Sequence, residues 1–196
     1  MSARLTLVAA SVALAGVLLL LRLEQEAPHR VATAPEALGS APTPSFAVPA
    51  LRGRVNDYAD LLTPTQETEL ETLYRSLEQE VGSQVALLTI ESLHGIRIED
   101  YSLKVANTWA LGRRDVDDGV LITMAVEDRM VRIEVGYGLE SVISNETASQ
   151  IIQQNMIPEF KKGEFFKGLE QGSQEIVQRI RANPKLVGKR TMRDPK

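Results

Sequence analysis

Two short acidic stretches that contain glycine stand in the middle of the sequence, on either side of two apolar runs. The first reads DVDDG at residues 115–119, and the second reads GYGLE at residues 136–140. The apolar runs between them, 120–126 and 131–135, are joined by a turn short enough to pair them as an antiparallel hairpin. A hairpin brings the start of its first strand and the end of its second strand to one edge of the sheet. We therefore expect four carboxylates to converge at that edge: Asp115, Asp117, Asp118 and Glu140.

Converging carboxylates repel one another unless a cation or a proton offsets their charge. Oxygen ligands without His or Cys favour Ca²⁺ or Mg²⁺ over zinc. Gly119, Gly136 and Gly138 would let the backbone turn tightly and present carbonyl oxygens to such an ion. The same residues also fit a solvated acidic loop with turn glycines, and their spacing alone does not decide between the two interpretations.

Composition and spacing argue against several other kinds of site. The chain has no cysteine, which excludes disulfides, thiolate zinc sites and a thiol nucleophile. Its two histidines, His29 and His94, fall in a proline-rich stretch and a predicted loop, and the sequence has no nucleophile elbow and no phosphate-binding glycine loop. The EF-hand pattern also fails, because the fifth and sixth positions counted from Asp115 are Gly119 and Val120.

A pair of arginines, Arg113 and Arg114, comes directly before the first acidic stretch. Guanidinium groups beside a bound metal could clamp a phosphoryl group, which would suit a phosphatase. They could equally complement the negative C-terminal end of the preceding helix.

Periodicity predicts the elements that must position these residues. A helix begins with the capping residues Thr63, Pro64 and Gln66 and ends at Gly82, and a strand follows at 85–90. A second helix spans 98–111 and ends at Gly112.

After the hairpin, a third helix is capped by Ser144 or Asn145 and ends at Pro158, and a last helix runs to about Arg181. The order helix, strand, helix, strand, strand, helix, helix predicts an α/β fold, with a small mixed sheet and helices packed on its faces. A right-handed crossover would make the strands 85–90 and 120–126 parallel.

Charge and hydropathy divide the chain into segments. Residues 1–50 are neutral and 184–196 carry a net +4, so the formal total of −4 leaves −8 for the predicted domain, 51–183. An acidic domain is a poor surface for nucleic acid, which excludes that class of partner. The basic tail, 184–196, could contact anionic lipid or an acidic partner, or serve only as a solubilising end.

The N-terminal region has the pattern of a targeting segment. Residues 5–21 are apolar and uncharged, long enough for a transmembrane anchor or a signal, and we favour an uncleaved anchor. Arg4 would hold residues 1–4 in the cytoplasm and place the domain on the periplasmic, extracytoplasmic or lumenal side. Residues 22–50, rich in proline from 27 onward, would then form an extended linker.

Four stretches of the sequence have a pattern in common with one protein family: VNDYADLL at 55–62, WALGRRDVDDGVLITMA at 109–125, RMVRIEVGYGLE at 129–140 and MIPEFKKGEFFKGL at 156–169. Together they resemble the TPM domain family, which includes thylakoid-lumen phosphatase-like and photosystem II repair proteins and bacterial membrane-anchored relatives. The resemblance implies a three-layer α/β/α sandwich, an acidic pocket for a divalent metal, and a location across a membrane from the cytosol. Some members of the family have weak acid phosphatase activity, and others have accessory roles in assembling or repairing membrane complexes. The resemblance makes both roles expectations for this protein.

Carried onto this chain, the resemblance makes Asp57, Asp117, Asp118 and Glu140 the pocket candidates. Asp57 could instead be a turn or cap residue. Many relatives have Asp where Asn145 stands, which removes one charge from the pocket.

Two functions remain open. The first is an interaction module for a membrane protein complex, in which the metal stiffens one edge of the sheet. The second is a metal-assisted phosphatase in which Asp117 or Asp118 orients water. We favour the module, because the sequence offers no general acid suited to neutral pH.

Overall fold

The computed structural model of the protein describes residues 46–188. By its internal contacts the chain divides after Ala41, and the unit that begins at Pro42 contains every described residue. The elements of this unit, in chain order, are β1 Val55–Asp57, α1 Pro64–Val81, β2 Gln84–Ile90, α2 Ile98–Trp109, β3 Gly119–Ala125, β4 Met130–Val135, a 3₁₀ turn Tyr137–Leu139, α3 Asn145–Ile151, a π-helical stretch Ile152–Met156, α4 Ile157–Phe160 and α5 Phe165–Ala182.

The four strands form one mixed sheet in the order β1-β2-β3-β4. β1 and β3 both run parallel to β2, and β4 runs antiparallel to β3. Gln84 at the start of β2 pairs with Gly119 at the start of β3, and Val120 pairs with Val135 at the end of β4. The predicted parallel pair, the hairpin and the mixed sheet are therefore confirmed.

The sheet separates two hydrophobic clusters. Val85 and Leu87 of β2 belong to a larger cluster that includes side chains of α1, α3 and α5, whereas Ala86 and Leu88 belong to a smaller cluster with α2. Successive strand residues point to opposite faces, so β2 is buried on both sides, as its nearly continuous apolar run predicts. Every described member of the two clusters lies in the unit that begins at Pro42, so a chain that begins there retains all of these side chains.

The helix that starts at Pro64 has the capping box that its sequence predicts. The Thr63 hydroxyl accepts from the Gln66 N–H at 3.4 Å, and the Gln66 side chain accepts from the Thr63 N–H at 2.9 Å. Gly82 ends the helix with φ 84°, a left-handed conformation that suits glycine.

Two predictions about the elements were wrong, and one strand was missed. The missed strand is β1, because a three-residue strand with two polar members has no periodic pattern. α2 ends at Trp109, with Ala110 rather than Gly112 as its left-handed cap. The third helix also continues past Pro158, because the wider π-helical turn before Pro158 lets proline begin a new segment where its missing N–H is not needed.

The last residues of the predicted linker are part of the folded unit. The Phe46 ring stacks on Tyr101 with centroids 4.4 Å apart, and the Trp109 indole N–H donates to the Pro49 carbonyl at 2.8 Å. Both partners lie on α2, so residues 46–50 pack against this helix.

A partly buried ion-pair cluster around Arg54, the residue before β1, connects β1 to α1. Arg54 donates to Glu71 at 2.8 Å and to Glu78 at 2.6 Å. Burial alone would raise the pKa of Glu71, but the hydrogen bonds from the Arg54 side chain and backbone, with one from Arg75, outweigh it and hold this pKa below its usual value. Glu71 is therefore ionised in the folded protein at neutral pH.

No helix within residues 46–188 is both long and apolar enough to span a bilayer. The expected membrane segment, 5–21, lies outside the described residues, as do residues 1–4, the linker up to 45 and the tail from 189 onward.

Candidate functional site

The two acidic stretches meet through their backbones at one edge of the sheet. The Gly136 N–H donates to the Gly119 carbonyl at 2.8 Å, and the Gly138 N–H donates to the Asp117 carbonyl at 2.9 Å. The convergence of these stretches, predicted from the hairpin, is therefore confirmed at the level of the backbone.

Glycine is required at this junction because two segments of the same chain approach each other closely. A Cβ atom at Gly138 would overlap the Val116 carbonyl, one at Gly136 would overlap the Asp117 carbonyl, and one at Gly119 would overlap the Leu111 carbonyl. None of these three glycines has a positive φ. The backbone does turn at the second stretch, where Gly136 precedes the 3₁₀ turn Tyr137–Leu139, but glycine is needed there for space and not for its backbone conformation.

A groove of about 390 Å³ opens beside this junction, between α2 and the outward face of β4. Asp117 and Glu140, one from each acidic stretch, line it together with Asn145. Asp117 holds a left-handed backbone conformation, with φ 57°, which a short polar side chain tolerates. The other lining residues are Leu103, Ala106, Asn107, Leu111, Gly119, Leu121, Arg132, Glu134, Val135, Gly136 and Tyr137.

Asp118, the residue after Asp117, is fully buried and forms its hydrogen bonds with Arg113 and Ser83. Its Oδ1 accepts from the Arg113 backbone N–H at 2.8 Å, and its Oδ2 accepts from Arg113 Nε and Nη2 at 2.9 and 2.6 Å. The Ser83 hydroxyl donates to the same Oδ2 at 3.2 Å. Asp118 does not line the groove, and its carboxylate joins the α2–β3 loop to the start of β2.

The two arginines predicted to position phosphate also lie away from the groove lining. Arg113 is bound to Asp118, and its guanidinium covers Gly82 at the end of α1. Arg114 and Asp115 are exposed and do not line the groove.

Asp57 stands at the other end of the sheet. It is the last residue of β1 and pairs with Thr89, whereas Gly119 pairs with Gln84 at the opposite end of β2. Its carboxylate accepts from the Leu62 N–H at 2.7 Å and from the Thr89 hydroxyl. The structure therefore gives Asp57 the turn-closing contacts of the alternative interpretation and separates it from the other candidates.

The set of converging acids is smaller than predicted. Within residues 46–188, no group of three or more His, Cys, Asp or Glu side chains is placed to share one metal ion. Asp117 and Glu140 line the groove together, with the Asn145 amide as a neutral oxygen donor. Carboxylate, amide and water oxygens are the ligands of Ca²⁺ and Mg²⁺, so the donors on this wall fit a hard cation that keeps part of its water shell.

Sequence reasoning missed one wall of the groove. Arg132 and Glu134 point from β4 toward the α2 side and form an ion pair of 2.8 Å, and Tyr137 follows them along the same wall. The alternation of Arg132 and Glu134 with apolar residues was visible in the sequence and indicated an outward face. It did not indicate that α2 would stand opposite and turn that face into a groove.

Comparison with known proteins gives one family and several similar structures. The sequence model of a family described as TPM domain matches residues 55–179. The N-terminal domain of a protein from P. gingivalis, solved by NMR, has 31% sequence identity and a TM-score of 0.63, covering 67% of this chain and 83% of that chain. No curated protein gives a significant match.

Two further NMR structures, at lower identity, share the fold alone. BA42 from the psychrophilic bacterium Bizionia argentinensis has 22% identity and a TM-score of 0.56, covering 66% of this chain and 86% of that chain. The N-terminal domain of the cg2496 protein from Corynebacterium glutamicum has 10% identity and a TM-score of 0.53, covering 80% of this chain and 93% of that chain.

Proposed function

This chain belongs to the TPM domain family, and on that premise we propose that it is a membrane-anchored, extracytoplasmic interaction module whose groove binds a divalent cation. Its role is that of an accessory to a membrane protein complex, in assembly, stability or repair. The observation that carries the proposal is that Asp117 and Glu140 line the same groove, beside the backbone junction of two sequence-distant stretches.

Asp117, Glu140 and Asn145 are the residues that would hold the cation. Bound Ca²⁺ or Mg²⁺ would neutralise the two carboxylates and offer a ligand position to a carboxylate of a partner. The backbone hydrogen bonds of Gly136 and Gly138 fix the distance between the two acidic stretches, so the chain itself orients the donors. Asp118 would support the site indirectly, because it fixes the loop that carries Asp117.

The membrane anchor and the side of the membrane rest on the sequence alone. Residues 5–21 are uncharged, and Arg4 precedes them. An uncharged span of about 20 residues favours a transmembrane helix, and a preceding positive charge favours a cytoplasmic N-terminus.

The phosphatase alternative has less support than the module. Among the described residues that line the groove, Arg132 is the one cation, and it is paired with Glu134. Arg113, one of the two arginines predicted to position phosphate, is bound to Asp118. Turnover of a phosphate monoester that scales with protein concentration and vanishes in Asp117→Asn would reverse this preference.

Cation binding is expected to depend on Asp117 and Glu140. In calorimetric titrations of residues 42–196 with Ca²⁺ and Mg²⁺, Asp117→Asn or Glu140→Gln should weaken binding about tenfold or more, because the number of ligand charges sets the affinity. Asp115→Asn is the matched control, since it removes the same charge from an exposed neighbour outside the groove. Binding that persists in the Asp117→Asn, Glu140→Gln double variant would place the site elsewhere, and no binding by the wild type would refute the cation.

The partner is expected to contact the groove. A photo-crosslinking residue at Tyr137, which is 54% exposed on the groove wall, should capture an integral membrane protein when the full chain is expressed in its own cells. The adduct should disappear in the Asp117→Asn, Glu140→Gln variant.

The control probe stands at Gln79, an exposed residue of α1 outside the groove lining. Equal adducts from both positions, or adducts with soluble proteins only, would refute the proposed interaction surface.

A further inference from the structure

The described chain ends at the groove junction. The Gly188 N–H donates to the Gly138 carbonyl at 2.7 Å, and a Cβ at Gly188 would lie 3.1 Å from Val116. Val187 packs against the larger hydrophobic cluster. Residue 188 is thus hydrogen-bonded to the backbone of the second acidic stretch and lies close to the Val116 side chain of the first, so the segment that follows is tethered at this point.

The groove next to this point is acidic and partly apolar. Three carboxylates, Asp117, Glu134 and Glu140, line it against the single guanidinium of Arg132, which makes a formal −2 for the described lining residues. Leu103, on the α2 wall, leaves 49% of its surface exposed.

The eight residues that follow, KRTMRDPK at 189–196, have the complementary character. Lys189, Arg190, Arg193 and Lys196 against Asp194 make a formal +3, and Met192 lies among them. Eight extended residues reach about 26 Å, at roughly 3.3 Å each, so a segment that starts at the junction could lie along the groove. A short tether gives an effective concentration in the millimolar range, so weak ionic contacts suffice to populate such a contact.

We propose that residues 189–196 bind in cis along this groove, with their basic side chains at the Asp117 and Glu140 end. The segment then occupies the surface on which a partner docks and competes with a divalent cation for the same carboxylates. This inference deepens the proposed function, because it names an internal competitor for that site. Partner or cation binding would have to displace the segment.

The test uses paramagnetic relaxation from a spin label on residue 192. The chain has no cysteine, so Met192→Cys gives a single labelling site on residues 42–196. In metal-free buffer of low ionic strength, the label should broaden the amide signals of Asn107, Asp117 and Tyr137. The matched control carries the same label with Lys189, Arg190, Arg193 and Lys196 changed to Gln, which keeps the length of the tether and removes its charge.

The proposal expects broadening in the wild-type segment that is lost in the neutral segment and in the Asp117→Asn, Glu140→Gln variant. It should also be lost at about 1 M salt, where charges are screened within about 3 Å. Equal broadening in charged and neutral segments would mean proximity by tethering alone and would overturn the proposal. Broadening that appears only between labelled and unlabelled molecules would overturn binding in cis in favour of a second copy.

The result of this experiment does not depend on whether the cation proposal is correct. It is done without metal, so it can succeed in a protein that binds no Ca²⁺, and a calorimetric site can exist without any broadening. Where both hold, added Ca²⁺ should reverse the broadening, and removal of residues 189–196 should raise the apparent Ca²⁺ affinity several-fold.

Discussion

Gly138→Ala should lower the free energy of unfolding by about 3 kcal/mol or more, the upper range for overpacking a rigid site. The new Cβ would overlap the Val116 carbonyl, and a backbone carbonyl in a hydrogen-bonded junction cannot move as a flexible side chain does. Urea unfolding followed by the fluorescence of Trp109, the only tryptophan, measures the change.

Gly53→Ala is the matched control for this prediction. The nearest atom to its Cβ would be Glu71 Oε2 at 3.4 Å, an ordinary contact, and its φ is not in the left-handed region. Its effect should stay within about 0.5 kcal/mol, as for substitutions away from special features. Similar losses in both variants, or none in Gly138→Ala, would contradict the close approach of the two acidic stretches.

Asp118→Ala should lower the free energy of unfolding by about 3 kcal/mol, because each hydrogen bond to a charged group contributes about 1.5–3 kcal/mol and the lost partners are partly buried. The change leaves the Arg113 N–H and the Ser83 hydroxyl without their acceptor. Arg113 itself is 47% exposed, so its guanidinium regains water and the loss stays below that of a wholly buried pair. Chemical unfolding in metal-free buffer measures this difference.

The same variant separates a structural role for Asp118 from a role as a metal ligand. A carboxylate whose role is to bind a cation repels the neighbouring carboxylates when no metal is bound. Its removal would therefore leave the metal-free variant as stable as the metal-free wild type, or more stable. Asp115→Ala, at an exposed position of the same loop, should change stability by no more than about 0.5 kcal/mol. A stable metal-free Asp118→Ala protein would therefore return Asp118 to the list of cation ligands.

Adjacent residues of one acidic stretch thus have different tasks. Asp117 faces the groove and Asp118 faces the core, and their neighbours in space differ accordingly. We therefore expect the groove to tolerate loss of a charge without loss of the fold, whereas the loop that carries Asp117 is held by the contacts between Asp118 and Arg113.

The sequence by itself determined the features that depend on near neighbours. The capping box of Thr63 and Gln66, the apolar runs of β2 and β3, and the hairpin follow from periodicity and from turns of a few residues. The hairpin also determined that the two acidic stretches share an edge, because that consequence needs only the length of the turn.

Only the tertiary structure decided which carboxylates face one another. Asp57 lies at the far end of the sheet because β1 pairs in parallel with β2, and a strand of three residues carries no sign of that pairing in its own sequence. Asp118 could not be told from Asp117, since the buried hydroxyl of Ser83 comes from a distant part of the chain. Side-chain partners depend on contacts between residues remote in sequence, whereas periodicity reports only which face of an element is apolar.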